Sequence, residues 1–323
     1  MDATAYHIPV LASASLEGLG IGSNAGGIFV DATFGGGGHT RLMLDALSNN
    51  GQVFGMDQDA DAHHNVPNDD RFTLIPENFR YMRNFLRQEG VRHVDGILGD
   101  LGVSSHQFDT GSRGFSTRFE GPLDMRMNQS QPVSAAEVVG TYSVAELTRV
   151  FRQYGELKRP DKAAYAIEAA RKESPIQQTS QLMAVLNFLA PRGKENQYFA
   201  QVFQALRIEV NDELGALQAM LLSSIELLEE GGRLAIISYH SLEDRMVKHF
   251  MRSGNFEDTI HRDFKGQALC PFDLLSRKAI IADSEEQERN PRARSARLRI
   301  AQRTALTTEQ IKSATEPIVA IVF

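Results

Sequence analysis

With 323 residues, 42% of them hydrophobic, the chain suits one large domain or a domain carrying an insertion. Its single cysteine, Cys270, excludes an internal disulfide framework and a four-thiolate zinc site, and the nine histidines show no metal-ligating spacing. A formal net charge of −7 gives no global sign of nucleic-acid binding, so any such surface must be local. Apolar runs such as Leu234-Ala235-Ile236-Ile237 are too short to span a membrane, and Met1-Asp2-Ala3-Thr4 lacks the basic start of a signal peptide. The expected compartment is a reducing cytoplasm.

His7-Ile8-Pro9-Val10-Leu11 opens the chain, and the segment to Leu19 reads as a short covering helix. Ile28-Phe29-Val30 is an apolar run of buried-strand type ending at Asp31. Phe34-Gly35-Gly36-Gly37-Gly38-His39-Thr40 follows, and Leu42, Met43, Leu44 and Leu47 then fall at helical spacing. Four glycines remove every Cβ where the backbone must turn sharply and approach a ligand. Val53-Phe54-Gly55-Met56 forms a second strand and ends in Asp57. A carboxylate about 20 residues past a glycine turn is placed to accept hydrogen bonds from ribose hydroxyls. An adenosine-containing cofactor is the leading reading. A linker is rarely clamped between strand and helix, and a P-loop would need glycine at Thr33 and lysine at His39. An NAD-dependent dehydrogenase stays open here.

The alternation continues with a helix near 59–65, a strand at 72–75 and a helix at 79–88 carrying Phe79, Met82, Phe85 and Leu86 on one face. Val94 to Gly99 forms a fourth strand, ending at Asp100. Strands alternating with helices predict a parallel, doubly wound sheet. The next clear strand, Arg233 to Ser238, comes too late for a simple crossover of about 30 residues. Residues 109–199 therefore read as an inserted helical domain, with capping boxes at Ser134/Glu137 and Ser143/Glu146. The flanking segments 1–108 and 200–323 form the sheet domain. From Phe199 to Leu228 the apolar steps of three and four predict one long helix, with Asn211-Asp212 the place for a bend and Gly231-Gly232 its end. After the fifth strand, 246–300 reads as a helix and then a β-hairpin; the tail past Thr304 carries little signal.

Six motifs occur in order: Val30-Asp-Ala-Thr-Phe-Gly-Gly-Gly-Gly-His-Thr40, Asp100-Leu-Gly-Val-Ser-Ser105, Gly121-Pro-Leu-Asp-Met-Arg-Met127, Phe203-Gln-Ala-Leu-Arg207, Ser238-Tyr-His-Ser-Leu-Glu-Asp-Arg245 and Asn290-Pro-Arg-Ala-Arg-Ser-Ala-Arg-Leu-Arg299. Over roughly residues 7–303 the chain resembles the RsmH (MraW) family of bacterial methyltransferases. The resemblance implies a Rossmann-like class I methyltransferase sheet of α/β class with an inserted small helical domain for substrate recognition. It also implies S-adenosylmethionine as cofactor and, as substrate, the N4 amine of a cytidine in the decoding region of 16S rRNA, within the small ribosomal subunit. No metal and no membrane are implied. Carried over by position, Gly37, Gly38 and His39 contact the methionine end of the cofactor, Asp57 the ribose and Phe79 the adenine, with Asp100 and Gln107 completing the pocket. The chain departs from the commonest family pattern at Gln197-Tyr-Phe-Ala-Gln-Val202 and at Ala279, both outside the cofactor motifs.

The cytosine N4 lone pair is delocalised into the ring, so a carboxylate or carbonyl accepting its N–H would help carry developing positive charge. Asp100 and the carbonyls of Leu101 and Gly102 are the first candidates for that acceptor, and Asp124 the second. Methylation at ring C5 would instead need a nucleophilic cysteine, and Cys270 lies far along the chain from strand four. Arg289, Arg292, Arg294, Arg297 and Arg299 form a local basic block on an acidic protein, which reads as a contact to RNA phosphates. A methyltransferase acting on a small molecule would share the cofactor pocket without needing that block.

Overall fold

The computed structural model describes residues 9–306 and residue 310; His7, Ile8, the Met1–Thr4 segment and most of the tail after Leu306 lie outside the described residues. The chain divides into two compact units, one formed by residues up to Gly102 and from Gly215 onward, the other by Val103–Leu214.

The first unit is built on seven strands: β1 (Ile28–Asp31), β2 (Gln52–Met56), β3 (Phe72–Ile75), β4 (Val94–Asp100), β5 (Leu228–Ser238), β6 (Phe272–Leu274) and β7 (Arg297–Arg303). Their order is β3-β2-β1-β4-β5-β7-β6. The first five are parallel and β7 runs antiparallel between β5 and β6. Alternate residues feed two cores on opposite faces, as the two-residue period of a strand requires. Val30, Phe54, Ile97, Leu234 and Ile236 join one cluster, and Phe29, Val53, Leu98, Ala235 and Ile237 the other. Helix α1 (Ala12–Leu19) and α2 (Gly38–Ala46) supply the second cluster with Leu19, Met43 and Leu44. On the first face α3 (Met82–Gln88) supplies Met82 and Leu86; Leu217, Met220 and Leu221 come from the later helix Glu213–Leu227, and Val247 and Phe250 from the helix Ser241–Ser253.

The second unit carries α4 (Ser105–Asp109), α5 (Ala135–Thr141), α6 (Val144–Gln153), α7 (Pro160–Glu173), α8 (Thr179–Leu186) and α9 (Glu195–Asn211) around its own core of Leu123, Val138, Phe151, Ile167, Leu182 and Leu206. Both capping boxes read from the sequence are formed, at Ser134/Glu137 and Ser143/Glu146. The unit is longer than the insert expected at 109–199, because Val202, Phe203 and Leu206 of α9 also belong to its core.

Several local expectations are corrected. The long helix of 199–228 is two, α9 and α10 (Glu213–Leu227), separated by Asp212 in the left-handed region at φ 45°. The carboxamide of Asn211 accepts from Met127 N at 2.7 Å and donates to Met125 O at 2.8 Å, fixing the end of α9. The glycine pair does not close α10, which stops at Leu227 with β5 starting at Leu228. The late hairpin is no tight turn: after α11 (Ser241–Ser253), β6 and β7 are joined through α12 (Ser284–Arg289) and a short 3-10 helix at Pro291–Ser295. The helix expected near 59–65 is a 3-10 turn throughout, Ala60–Asn65, and the one expected at 79–88 begins as a 3-10 turn at Phe79–Tyr81 before α3.

Candidate active site

In an open parallel sheet the carboxyl edge is the ligand-binding edge, and the crevice lies where strand order reverses. Here that point is β1, hydrogen-bonded to β2 on one side and β4 on the other. Asp31 ends β1, Asp57 follows β2, Asp100 ends β4 and Tyr239 follows β5, so one edge collects three carboxylates and a phenol.

The glycine turn joins β1 to α2. Gly37 adopts φ +72°, and a Cβ there would lie 2.8 Å from the Arg41 guanidinium and 2.9 Å from the Phe34 ring, so glycine is required. The turn's carbonyls are tied back: Arg41 donates to Gly36 O at 2.6 Å and Asn65 Nδ2 to Gly35 O at 3.0 Å. A Cβ on Gly36 would meet nothing within 4 Å, so the turn borders open space. Gly35 N and Asp59 N each donate to the Asp57 carboxylate at 2.8 Å, which orients it while leaving lone pairs for further donors. Burial, the main cause, raises Asp57 from the ordinary carboxylate range to about 6, against the lowering effect of those two N–H groups.

Asp100 stands in a network of its own. Tyr239 donates its hydroxyl to Oδ1 at 2.7 Å, and His39 Nδ1 lies 3.8 Å from Oδ2. His39 Nε2 is 3.1 Å from Val10 O. A carbonyl only accepts, so Nε2 carries a proton and the ring is fixed with Nδ1 toward the carboxylate. Thr33 Oγ1 accepts from Asp100 N at 2.7 Å. Burial raises Asp100 to about 6, partly offset first by His39 and then by the Tyr239 hydrogen bond. Its side chain is still 23% exposed. Tyr239 is itself pushed up, by burial and then by the Asp100 charge, and stays a donor. Asp31 is buried and held by Thr40 Oγ1 at 2.8 Å; burial raises it too.

Of the residues expected at the cofactor, this unit therefore holds Gly37, Gly38, His39, Asp57 and Asp100 at the carboxyl edge. Phe79 lies after β3, half-buried against the core containing Met82 and Leu86. Gln107 belongs to the helical unit, where its carboxamide accepts from Ser104 N at 3.0 Å in the cap of α4. Asp124 is also in that unit and is committed to Arg126, with guanidinium contacts of 2.9 and 2.7 Å. Burial opposes its ionisation, but the Arg126 hydrogen bonds prevail and hold it below the usual range. Tyr239, Thr33, Thr40 and Asp31 were not singled out by sequence reasoning. All lie inside quoted motifs, but their use shows in contacts distant along the chain: Tyr239 and Thr33 bond Asp100, and Thr40 bonds Asp31.

The arginine block divides in two. Arg299 is mostly buried and binds Asp244 of α11 through Nε at 2.7 Å and Nη2 at 3.2 Å, and Arg297, 57% exposed, lies 3.6 Å from the same carboxylate. Arg294 is exposed and Arg292 half-buried. Replacing Arg299 with alanine leaves the partly buried Asp244 with only its looser pair to Arg297, and stability should fall by roughly 1–3 kcal/mol, less than for a fully buried pair left without a partner. Thermal melting reads this directly, and an unchanged midpoint would show the pair to be dispensable.

An antiparallel strand set between the fifth strand and the edge separates this sheet from the all-parallel dehydrogenase order. Sheet and site together define a class I methyltransferase with S-adenosylmethionine as its cofactor. The model of the MraW methylase family matches residues 4–304. Proteins called ribosomal RNA small subunit methyltransferase H are similar throughout: that of Parabacteroides distasonis is 52% identical, over 92% of this chain and 97% of its own, and that of Cytophaga hutchinsonii 53% identical, over 92% and 99%. The chain belongs to the MraW methylase family.

Proposed function

We propose that this protein methylates the exocyclic N4 amine of a cytidine in the decoding region of 16S rRNA, in the cytoplasm and on the small ribosomal subunit, with the helical unit recognising the substrate. The relatives' shared name supports the RNA class. The observation that carries the chemistry is the Asp100 carboxylate, held on Oδ1 by Tyr239 and partly exposed at the edge beside the glycine turn. The residues suit S-adenosylmethionine: the Asp57 carboxylate has acceptor capacity for ribose hydroxyls, and Arg41 is turned to backbone carbonyls rather than toward a phosphate. Bound there, the cofactor supplies a methyl group already activated on a sulfonium. Asp100 accepts an N–H of the target amine, helps carry the positive charge that grows on nitrogen, and takes the proton released. Tyr239 holds the carboxylate through its hydrogen bond to Oδ1.

Ring-carbon methylation fails on position. Cys270 precedes β6, three strands from β4, which places it about 14 Å away across the sheet. It also lies toward the amino edge, since Asp273 pairs with Gln302, which faces Arg233 at the start of the main β5 ladder. Burial, chiefly, pushes its thiol up, away from the reactive thiolate.

Because Asp100 acts as the carboxylate, methyl transfer should fall as pH drops through about 6. The Tyr239 hydrogen bond favours the ionised form, so Tyr239→Phe should move the midpoint to higher pH. Single-turnover rates with saturating cofactor give both profiles; coincident midpoints would remove Tyr239 from the network. Replacing the exposed Arg294 and Arg297 should flatten the log–log salt dependence of RNA binding by roughly 0.7–0.9 units for every phosphate they neutralise. Incubation with labelled S-adenosylmethionine and 16S rRNA, small subunits or free cytidine tests the function itself. Label in rRNA or subunits is expected, and equal labelling of free cytidine would favour a small-molecule enzyme.

A further inference from the structure

Outside the active-site edge, a short hairpin between α11 and β6 presents the most exposed of the large apolar side chains among the described residues, Phe264 at 94%. Its arms pair at Arg262 and Ala268, and Leu269 N donates to His261 O at 2.8 Å. The tip is a tight turn with aspartate first and glycine last, the residues such turns favour. Gly266 N donates to Asp263 O at 3.0 Å, and Asp263 Oδ1 accepts from Lys265 N and Gln267 N at 2.8 Å each. Arg262 adds a bond to Gly266 O at 2.8 Å. The acidic group is thereby turned inward and spent on backbone donors. At the base of the hairpin Asp258 is paired with Arg252 at 2.7 Å. What the tip offers outward is an aromatic ring between two cations, with the Lys265 ammonium 5.5 Å from the ring centroid.

A single exposed apolar residue on a surface needs no explanation. Phe264 differs in being carried on a hairpin fixed by six local hydrogen bonds, flanked by Arg262 and Lys265 on a chain of net charge −7. Unpaired bases of RNA are held by stacking on aromatic rings while nearby cations meet the phosphates. We infer that this hairpin is an RNA contact: Phe264 stacks on an unpaired base of the substrate rRNA and Arg262 and Lys265 meet its backbone. The inference rests on the rRNA reading above and adds to it a second binding element, separate from the arginine block of Pro291–Ser295 and β7.

The test uses the full chain with in vitro transcribed 16S rRNA across a salt series, and cofactor affinity and thermal melting in parallel. Phe264→Ala should weaken RNA binding roughly 5- to 150-fold, the range for losing one stacked base, with the salt slope, melting and cofactor affinity unchanged. Phe264→Trp should restore it. The double variant Arg262→Gln/Lys265→Gln should flatten the salt slope by roughly 1.4 units, about 0.7 for each single-strand phosphate. Wild-type RNA affinity in folded Phe264→Ala would overturn the inference. So would a loss confined to binding of phosphatidylglycerol vesicles, which would make the tip a membrane contact. Wild-type protein that neither binds nor methylates 16S rRNA would bring down the underlying reading together with this one, an outcome distinct from both.

Discussion

Asp100→Asn is expected to lower single-turnover methyl transfer by roughly 10²–10⁴-fold, the usual range for losing a positioned proton acceptor, while cofactor affinity falls far less. The substitution keeps the shape of the side chain, and its carbonyl can still accept from Tyr239. It removes the charge that would balance the amine as it becomes cationic, and it turns an N–H₂ group toward the space now faced by Oδ2. Rates measured at saturating cofactor, set beside calorimetric affinities, separate the two roles. Equal losses in rate and affinity would reduce Asp100 to a cofactor ligand.

Asp57→Ala should weaken S-adenosylmethionine binding by roughly 1–3 kcal/mol, the worth of charge-assisted bonds to the ribose. The same carboxylate also accepts from Gly35 N and Asp59 N, so alanine leaves two backbone donors without their partner. A loss of stability of about 1–3 kcal/mol should accompany the loss of affinity, with the glycine turn loosened. Asp57→Asn, which keeps an acceptor for one of the donors, should show the affinity loss with a smaller change in melting. Unchanged affinity in either variant would take Asp57 out of the site.

The sheet was readable because β1, β2 and β4 are buried parallel strands, which appear as apolar runs, each followed by an acid at the ligand edge. The glycine turn was readable for the same reason that it works: Gly37 sits at a φ that other residues resist. What could not be read depends on partners distant in sequence. Asn211 ends α9 through bonds to Met125 and Met127, so the apolar stripe running on through Asp212 gave no sign of two helices. Strands β6 and β7 pair across intervening helix, where local turn signals are silent. Arg299 reads in the sequence as part of a phosphate-binding run, and its bond to Asp244 of α11, 55 positions away, has no local signal. Tyr239 lay within a motif without a role, because its partner ends a strand on the other side of the helical insert.

The central claim is that the Asp100 edge directs a methyl group to an exocyclic amine of RNA. Small subunits methylated in vitro by the purified protein, digested to nucleosides and to mapped fragments and analysed by mass spectrometry, test it most directly. The expected product is a single N4-methylcytidine, located in the decoding region and absent when Asp100→Asn protein is used for the same time. A methyl group on ring carbon 5, or transfer to no nucleoside of the subunit, would contradict it.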